Sequence, residues 1–275
     1  MRCGRRTRGR FAAAGLMVGA LMLPAPDAAA QEARRDSLTA RTAKVRSPLS
    51  LLAQVQLANY HAPSVIGAEG SFNQLGLEPV VPLRRFGSFP LAQIIRLDAA
   101  LITTPEPDRV TGLSDIQLQD LFVPDLWARL KWGVGFVLVM PTATDDRTGL
   151  GKWMLGPAAG LVYELSQHIQ IGGLVQNPIS FAGDPDRSSV SYFLFEPLFS
   201  LMLGRWYVGS ASFDWTYDWK QNAWTIPLGV QVGRVTRIGK LDYDLSIAFQ
   251  RTVVHEVEPV PEWGFQFQVT LLLPE

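Results

Sequence analysis

The chain has 275 residues, with 25 basic and 25 acidic side chains, 47% hydrophobic residues and a single cysteine, Cys3. That balance gives no basic surplus for a nucleic-acid partner, and one cysteine excludes a disulfide framework. No run of about 18 uninterrupted apolar residues occurs beyond residue 30, which excludes a helical membrane protein.

Residues 1–30 read as a cleaved signal peptide. Arg2, Arg5, Arg6, Arg8 and Arg10 make a basic start, an apolar run follows from Phe11 to Pro24, and Ala28-Ala29-Ala30 before Gln31 is a small-residue cleavage site. The apolar run falls short of the roughly 20 residues that span a bilayer. The Arg5-Arg6 pair leaves general secretory and twin-arginine export both open. Cleavage would leave 20 basic against 24 acidic side chains and remove Cys3, so no lipid-anchored cysteine remains. Residues 31–50 are polar and charged without a period and read as a flexible periplasmic N-terminal tail, too short for a plug domain. The remainder, 51–275, reads as one barrel domain.

From there the signal is alternation at period two. Strands are predicted over Leu52–Tyr60, Leu77–Leu83, Leu91–Ile102, Asp115–Val123, Ala128–Met140 and Trp153–Leu165. Six more follow over Ile169–Ile179, Val190–Leu203, Trp206–Trp219, Trp224–Val235, Leu241–Thr252 and Glu262–Leu273. In the last, Trp263, Phe265, Phe267, Val269, Leu271 and Leu273 alternate with Gly264, Gln266, Gln268 and Thr270. A helix cannot put such a set on one face, because its neighbours lie three or four residues apart. The predicted fold is all-β: a transmembrane antiparallel β-barrel of about 12 strands. Connections of odd rank average about 10 residues and those of even rank about 4, the sorting expected of extracellular loops and periplasmic turns, with both termini periplasmic.

A membrane barrel points apolar residues outward and polar ones into the lumen. The expected aromatic girdle comprises Trp132, Trp153, Trp206, Tyr207, Trp215, Tyr217, Trp219, Trp224 and Trp263. Prolines oppose the pattern, since Pro157, Pro178, Pro197 and Pro227 fall inside predicted strands and each removes a ladder donor.

Gly112–Pro124, Lys131–Asp145, Gly151–Tyr163, Leu174–Arg187, Trp224–Lys240 and Phe265–Pro274 together resemble the outer-membrane β-barrel family named for the phenol-degradation (MetA) pathway. Its members often carry the label transporter or neuromedin U. The resemblance implies a barrel in the cell outer membrane of a Gram-negative bacterium and suggests phenolic or other hydrophobic solutes. It supplies no catalytic residue.

The predicted lumen lining is Arg96, Asp98, Asp115, Lys131, Glu164, Glu196, Asp214, Asp218, Asp242, Asp244, Gln266 and Gln268. Inward glycines at 133, 135, 156, 160, 172, 229 and 233 leave space there. About eight strands are filled by side chains whereas 16–18 leave a wide channel, so twelve should enclose a narrow passage or a ligand-sized cavity. No metal or cofactor is expected, because His61, His168 and His255 lie far apart at predicted loops with no second ligand. An outer-membrane lipid hydrolase would need Ser and His together on an outward strand, a pairing the sequence does not offer. The loop acids Asp145, Asp146, Asp184 and Asp186 suit calcium or lipopolysaccharide bridging, or solvated loop tips. The functional expectation is no enzyme but a narrow channel for passive passage of small, hydrophobic or aromatic solutes; the alternatives are a non-conducting structural or adhesion barrel acting through its loops, then the hydrolase. Expected partners are outer-membrane lipid and lipopolysaccharide, small solutes, and the barrel-assembly machinery during insertion.

Overall fold

The computed structural model describes residues 39–83, 91–124, 129–211 and 213–273. The signal peptide read over 1–30, the first part of the tail at 31–38 and the terminal Pro274-Glu275 lie outside the described residues. The predicted alternation appears as fifteen strands: β1 (Gln54–Ile66), β2 (Phe72–Leu83), β3 (Ala92–Thr103), β4 (Thr111–Leu113), β5 (Ile116–Val123), β6 (Leu130–Met140), β7 (Lys152–Glu164), β8 (Ile169–Gln176), β9 (Ile179–Gly183), β10 (Tyr192–Leu203), β11 (Trp206–Ser210), β12 (Trp215–Asp218), β13 (Ala223–Ile238), β14 (Leu241–His255) and β15 (Val260–Leu272). All pairings are antiparallel. β1 bonds to β15 on one side and β2 on the other, so the sheet closes.

Three staves of the barrel are broken in two. β4 and β5 both pair with β3; β8 and β9 both pair with β7; β11 and β12 both pair with β10 and with β13. Fifteen strands therefore make twelve staves, as the sequence predicts. Gln54 faces Leu272, so the first and last strands meet at one end of the barrel, which also holds the short connections 204–205 and 239–240. We call this the turn end. Connections 67–71, 141–151, 184–191, 219–222 and 256–259 lie at the opposite, loop end.

The pleat sends alternate side chains to opposite faces. On β15, Phe265, Phe267 and Val269 are 40%, 60% and 44% exposed, while Gln268 and Thr270 are buried. On β14, Leu245, Ile247 and Phe249 face out and Asp244, Ala248 and Gln250 face in. Each of the twelve staves carries an exposed large apolar residue on or beside it. A continuous apolar belt of this extent is the reverse of a water-soluble surface.

The first hairpin departs from expectation. β1 runs on to Ile66 and β2 begins at Phe72, so their connection is only 67–71 and not the long loop predicted. A register shift between His61 and Ser64 absorbs Pro63, which breaks the alternation that sequence reading depends on.

The prolines find local accommodation. Pro227 sits at a bulge in the β13–β14 register and Pro178 separates β8 from β9. Pro157 keeps its ladder place opposite Phe136. Pro197 lies opposite the break in the facing stave: β10 pairs with β12 over Tyr192–Phe195 and with β11 over Ser200–Leu203, leaving 196–199 without a strand partner there. Ser210 spans that gap, donating its hydroxyl to Pro197 O (2.8 Å) and accepting from Phe199 N–H (2.9 Å). A missing N–H costs least where no ladder demands one.

Candidate functional site

The lumen is divided. Along β2, β3, β5, β7 and β8 the inward side chains include Val80, Ile94, Leu121, Val123, Ala158, Val162 and Leu174, and they form an apolar cluster around Leu49. Nearer the loop end, Val137, Val139 and Met154 pack against Val190 and Tyr192. Between these clusters, inward residues of β1–β3 and β12–β15, many of them polar, line an open cavity of about 530 Å³.

Leu49 belongs to the segment read from sequence as a flexible tail over 31–50. The described part of that segment corrects the reading, because it is inside the barrel. Residues 39–46 are helical at the turn end. Thr42 donates to Gly204 O (3.0 Å), and Arg41 pairs with Asp242. Arg46 donates to Ser200 Oγ (3.1 Å), Gln231 Oε1 (2.6 Å) and Ser210 O (2.8 Å), and its guanidinium lies 5.0 Å from the Tyr207 ring centre. The chain then crosses the lumen to seat Leu49 on the apolar wall, and returns to place Leu52 against Val235 and Leu272 before β1 begins. Gly133 and Gly160 face each other in register and open the seat. A Cβ on Gly160 would lie 3.1 Å from Leu49 Cδ2, and one on Gly133 3.3 Å from it. The sequence held a weak signal: Val45, Leu49 and Leu52 recur at intervals of four and three.

Seven of the twelve predicted lumenal residues line the cavity: Arg96, Asp98, Glu196, Asp214, Asp244, Gln266 and Gln268. Arg96 contacts Glu78 (Nε to Oε1, 3.2 Å), donates to Pro48 O (3.3 Å), and lies within electrostatic reach of Asp98, Glu196 and Asp214. Glu78 is absent from the predicted lining although it lies in the predicted strand Leu77–Leu83, and Gln74, Gly76 and Glu78 alternate there with Leu75 and Leu77. Further amides come from Gln54, Gln56, Gln74, Gln117, Gln176 and Gln250. Gln268 donates to Gln56 (2.8 Å) and Gln117 to Gln176 (3.2 Å), so parts of the wall are internally bonded. Three inward rings, Tyr60, Phe72 and Phe213, complete the lining.

The other five predicted positions lie off the cavity. Lys131 and Glu164 bind each other at 2.8 Å, on the half of the barrel filled around Leu49. Asp242 is held by Arg41 and Arg237 at the turn end. Asp115 accepts from Ala143 N–H (3.1 Å) and Leu150 N–H (2.6 Å), fixing the long loop. Asp218 caps a turn, accepting from Lys220 N–H (2.7 Å) and Gln221 N–H (3.0 Å). Each of the five is engaged by groups near its own end of the barrel and so does not reach the cavity.

Eight of the nine girdle residues face out or lie partly exposed. Trp132 and Trp206 sit at the turn end; Trp153, Trp215, Tyr217, Trp219, Trp224 and Trp263 sit at the loop end. Tyr217 packs on Trp219 and Trp224 at 4.8 and 4.9 Å. Tyr207 is the exception and is corrected here: it is fully buried and donates to Asp244 Oδ2 (2.8 Å). Neighbours in a strand point to opposite faces, so Trp206 outward puts Tyr207 inward. Gly233 makes room for its ring, where a Cβ would lie 2.3 Å from Tyr207 Cζ.

At the loop end Arg187 joins two connections by donating to Gly149 O (2.7 Å) and to Asp146 O. Arg147 donates to both Asp145 oxygens (2.8 and 2.9 Å), which pulls that carboxyl down to about 2. The Asp145 and Asp184 carboxylates are engaged within their own loops, Asp184 by Asp186 N–H (2.9 Å). Of the histidines, His61 lies within β1 and not in a loop, His168 meets Ser166 Oγ through its backbone N–H, and His255 lies 3.8 Å from Glu258.

No protein-family profile matches the chain and no curated protein matches it. Solved structures do match in fold. An outer membrane channel from Pseudomonas putida F1 superposes with a TM-score of 0.63 at 12% identity, over 83% of this chain and 98% of that one. The NanC porin superposes with a TM-score of 0.51 at 8% identity, over 81% of this chain and 100% of that one. Both share the barrel architecture.

Proposed function

We propose that this chain is an outer-membrane channel for passive passage of small solutes, with a cation-preferring lumen narrowed by its own N-terminal segment. One observation carries the reading: a polar cavity of about 530 Å³ inside a closed barrel whose exterior is apolar on every stave. Such an exterior is stable against lipid, and the two aromatic belts fit its interfaces. The named channel and porin of like fold support the same reading. Resemblance to the phenol-degradation family supports outer-membrane placement and solutes with aromatic character. Lipid and lipopolysaccharide would contact the belt, and the assembly machinery would insert it.

The cavity wall carries Glu78, Asp98, Glu196, Asp214 and Asp244 against Arg46 and Arg96. Fixed carboxylates in a confined passage raise the local cation concentration, as acidic rings do in other channels. The deciding measurement is conductance of the refolded chain in planar bilayers, with reversal potentials in asymmetric KCl. Cation-selective steps are expected. Silence from both the full chain and a chain lacking residues 39–50 would overturn the channel reading.

A second reading is favoured by the filled half of the lumen: a structural or adhesion barrel that does not conduct, presenting the loops joined by Arg187. That silence is the result it requires. A lipid-hydrolysis assay on the same sample tests the enzymatic alternative.

A further inference from the structure

We propose that the open half of the lumen binds a small organic cation bearing an apolar or aromatic face, at a site created where Pro197 interrupts the facing stave. The proposal rests on the channel reading and names its substrate class.

The site begins with a failure of alternation. Pro197 has no N–H, and the stave opposite breaks between β11 and β12. In the break Phe213 N–H donates to Ala211 O (2.9 Å) and not to a neighbouring strand. Two consecutive side chains, Phe213 and Asp214, therefore both line the cavity, which a regular strand forbids. Breaks of this kind re-aim side chains and recur beside functional sites.

What the break brings together is chemically specific. The Phe213 ring lies 5.4 Å from Tyr60, and Tyr60 lies 6.2 Å from Phe72. Three rings thus line a cavity whose wall is rich in amides and acids. Asp214 and Glu196 share that cavity, and neither carboxylate has a hydrogen-bond or ion-pair partner among the described residues. Arg96, the nearest cation, is engaged by Glu78 and Pro48 O.

An independent observation points to a missing donor. Gln250 is 5% exposed, lines the same cavity and donates its amide N–H to the Tyr60 hydroxyl, yet its Oε1 has no hydrogen-bond partner. A buried acceptor left open is costly, and a ligand N–H would fill it.

The alternatives fit less of this. An inorganic cation has no use for three rings, a neutral aromatic has none for the carboxylates, and an anion is repelled. A cation with an apolar face uses both, since ring faces attract positive charge. The volume suits a small molecule, within the roughly 300–1,000 Å³ of typical ligand pockets.

The experiment uses the full chain in planar bilayers carrying a potassium current, with benzylammonium, which keeps its N–H donors, as probe and methylammonium and benzoate as comparisons. Benzylammonium should block at concentrations at least tenfold below methylammonium, and benzoate should not block. Phe213→Ala should weaken the aromatic block about tenfold, with Phe213→Leu as the variant of conserved bulk should Ala not fold. Glu196→Gln with Asp214→Asn should weaken block by both cations. A potassium current that none of these probes blocks, or block by benzoate as strong as by the aromatic cation, overturns the site and leaves the channel standing. Absence of any current from this chain and from one lacking residues 39–50 overturns the channel reading alone. Titration calorimetry of the detergent-solubilised chain with the same probe then decides the site: saturable binding lost in Phe213→Ala supports it, and no binding overturns it.

Discussion

Leu49 Cδ2 lies where a side chain at Gly160 would have to be, 3.1 Å from the position of a Cβ there. A residue from ahead of the first strand is thus keyed to a glycine on β7, at the far wall of the barrel. The contact joins the segment that crosses the lumen to the half of the lumen that it fills.

Releasing that contact should widen the passage. Gly160→Val places a branched side chain against Leu49 and Leu174, and Arg46→Ala removes three hydrogen bonds from a charged group. Each such bond contributes about 1.5–3 kcal/mol. Both variants should show larger single-channel conductance than the wild type, and limited proteolysis should cut within residues 39–53. Unchanged conductance in both would mean that the segment is clear of the conducting path.

Selectivity should follow the lumenal acids. Glu196→Gln together with Asp214→Asn removes two of the five cavity carboxylates, so the reversal potential in a KCl gradient should move toward zero. In the wild type the preference should fade with ionic strength, because charges are screened over about 10 Å at 0.1 M salt. A preference independent of salt would argue against fixed lumenal charge.

Tyr207→Phe should destabilise the barrel without opening it. The hydroxyl donates to Asp244, whose other oxygen, Oδ1, has no partner, and the substitution strands a buried carboxylate. A cost of about 1–3 kcal/mol is expected, read as a lower urea midpoint in detergent. A midpoint equal to wild type would show that the Tyr207–Asp244 hydrogen bond contributes nothing to stability.

Topology can be read by labelling intact cells. Cysteines at Asp145, Asp186 and Glu258, all in connections at the loop end, should react with an impermeant reagent, and those at Gln167 and Gly239 should not. The opposite pattern would invert the barrel in the membrane. Intact mass of the outer-membrane fraction should start at Gln31; a chain retaining residues 1–30 would refute the signal peptide.

Alternation alone made the barrel legible, because the pleat is a local property and each strand carries its own record of inside and outside. Stave number, the outward belt and seven of the cavity residues followed from parity. The same rule applied strictly would have placed Tyr207 inward beside Trp206. Asp115, Asp218 and Asp242 show where parity stops, since a carboxylate near a strand end can turn to a loop amide or an arginine that no period announces.

The tertiary structure decided how the lumen is filled. Leu49 meets Val80, Leu121, Ala158 and Leu174, which lie between about 30 and 125 residues away, so no local pattern in residues 31–50 could announce their burial. Phe213 and Asp214 line the same cavity at the break that faces Pro197 on another strand, where no ladder holds the pleat. The sequence by itself determined which face each regular strand turns to the outside. Closure of the sheet determined which distant side chains share the interior, and there apolar contact sealed one half while the unpaired acids kept the other open.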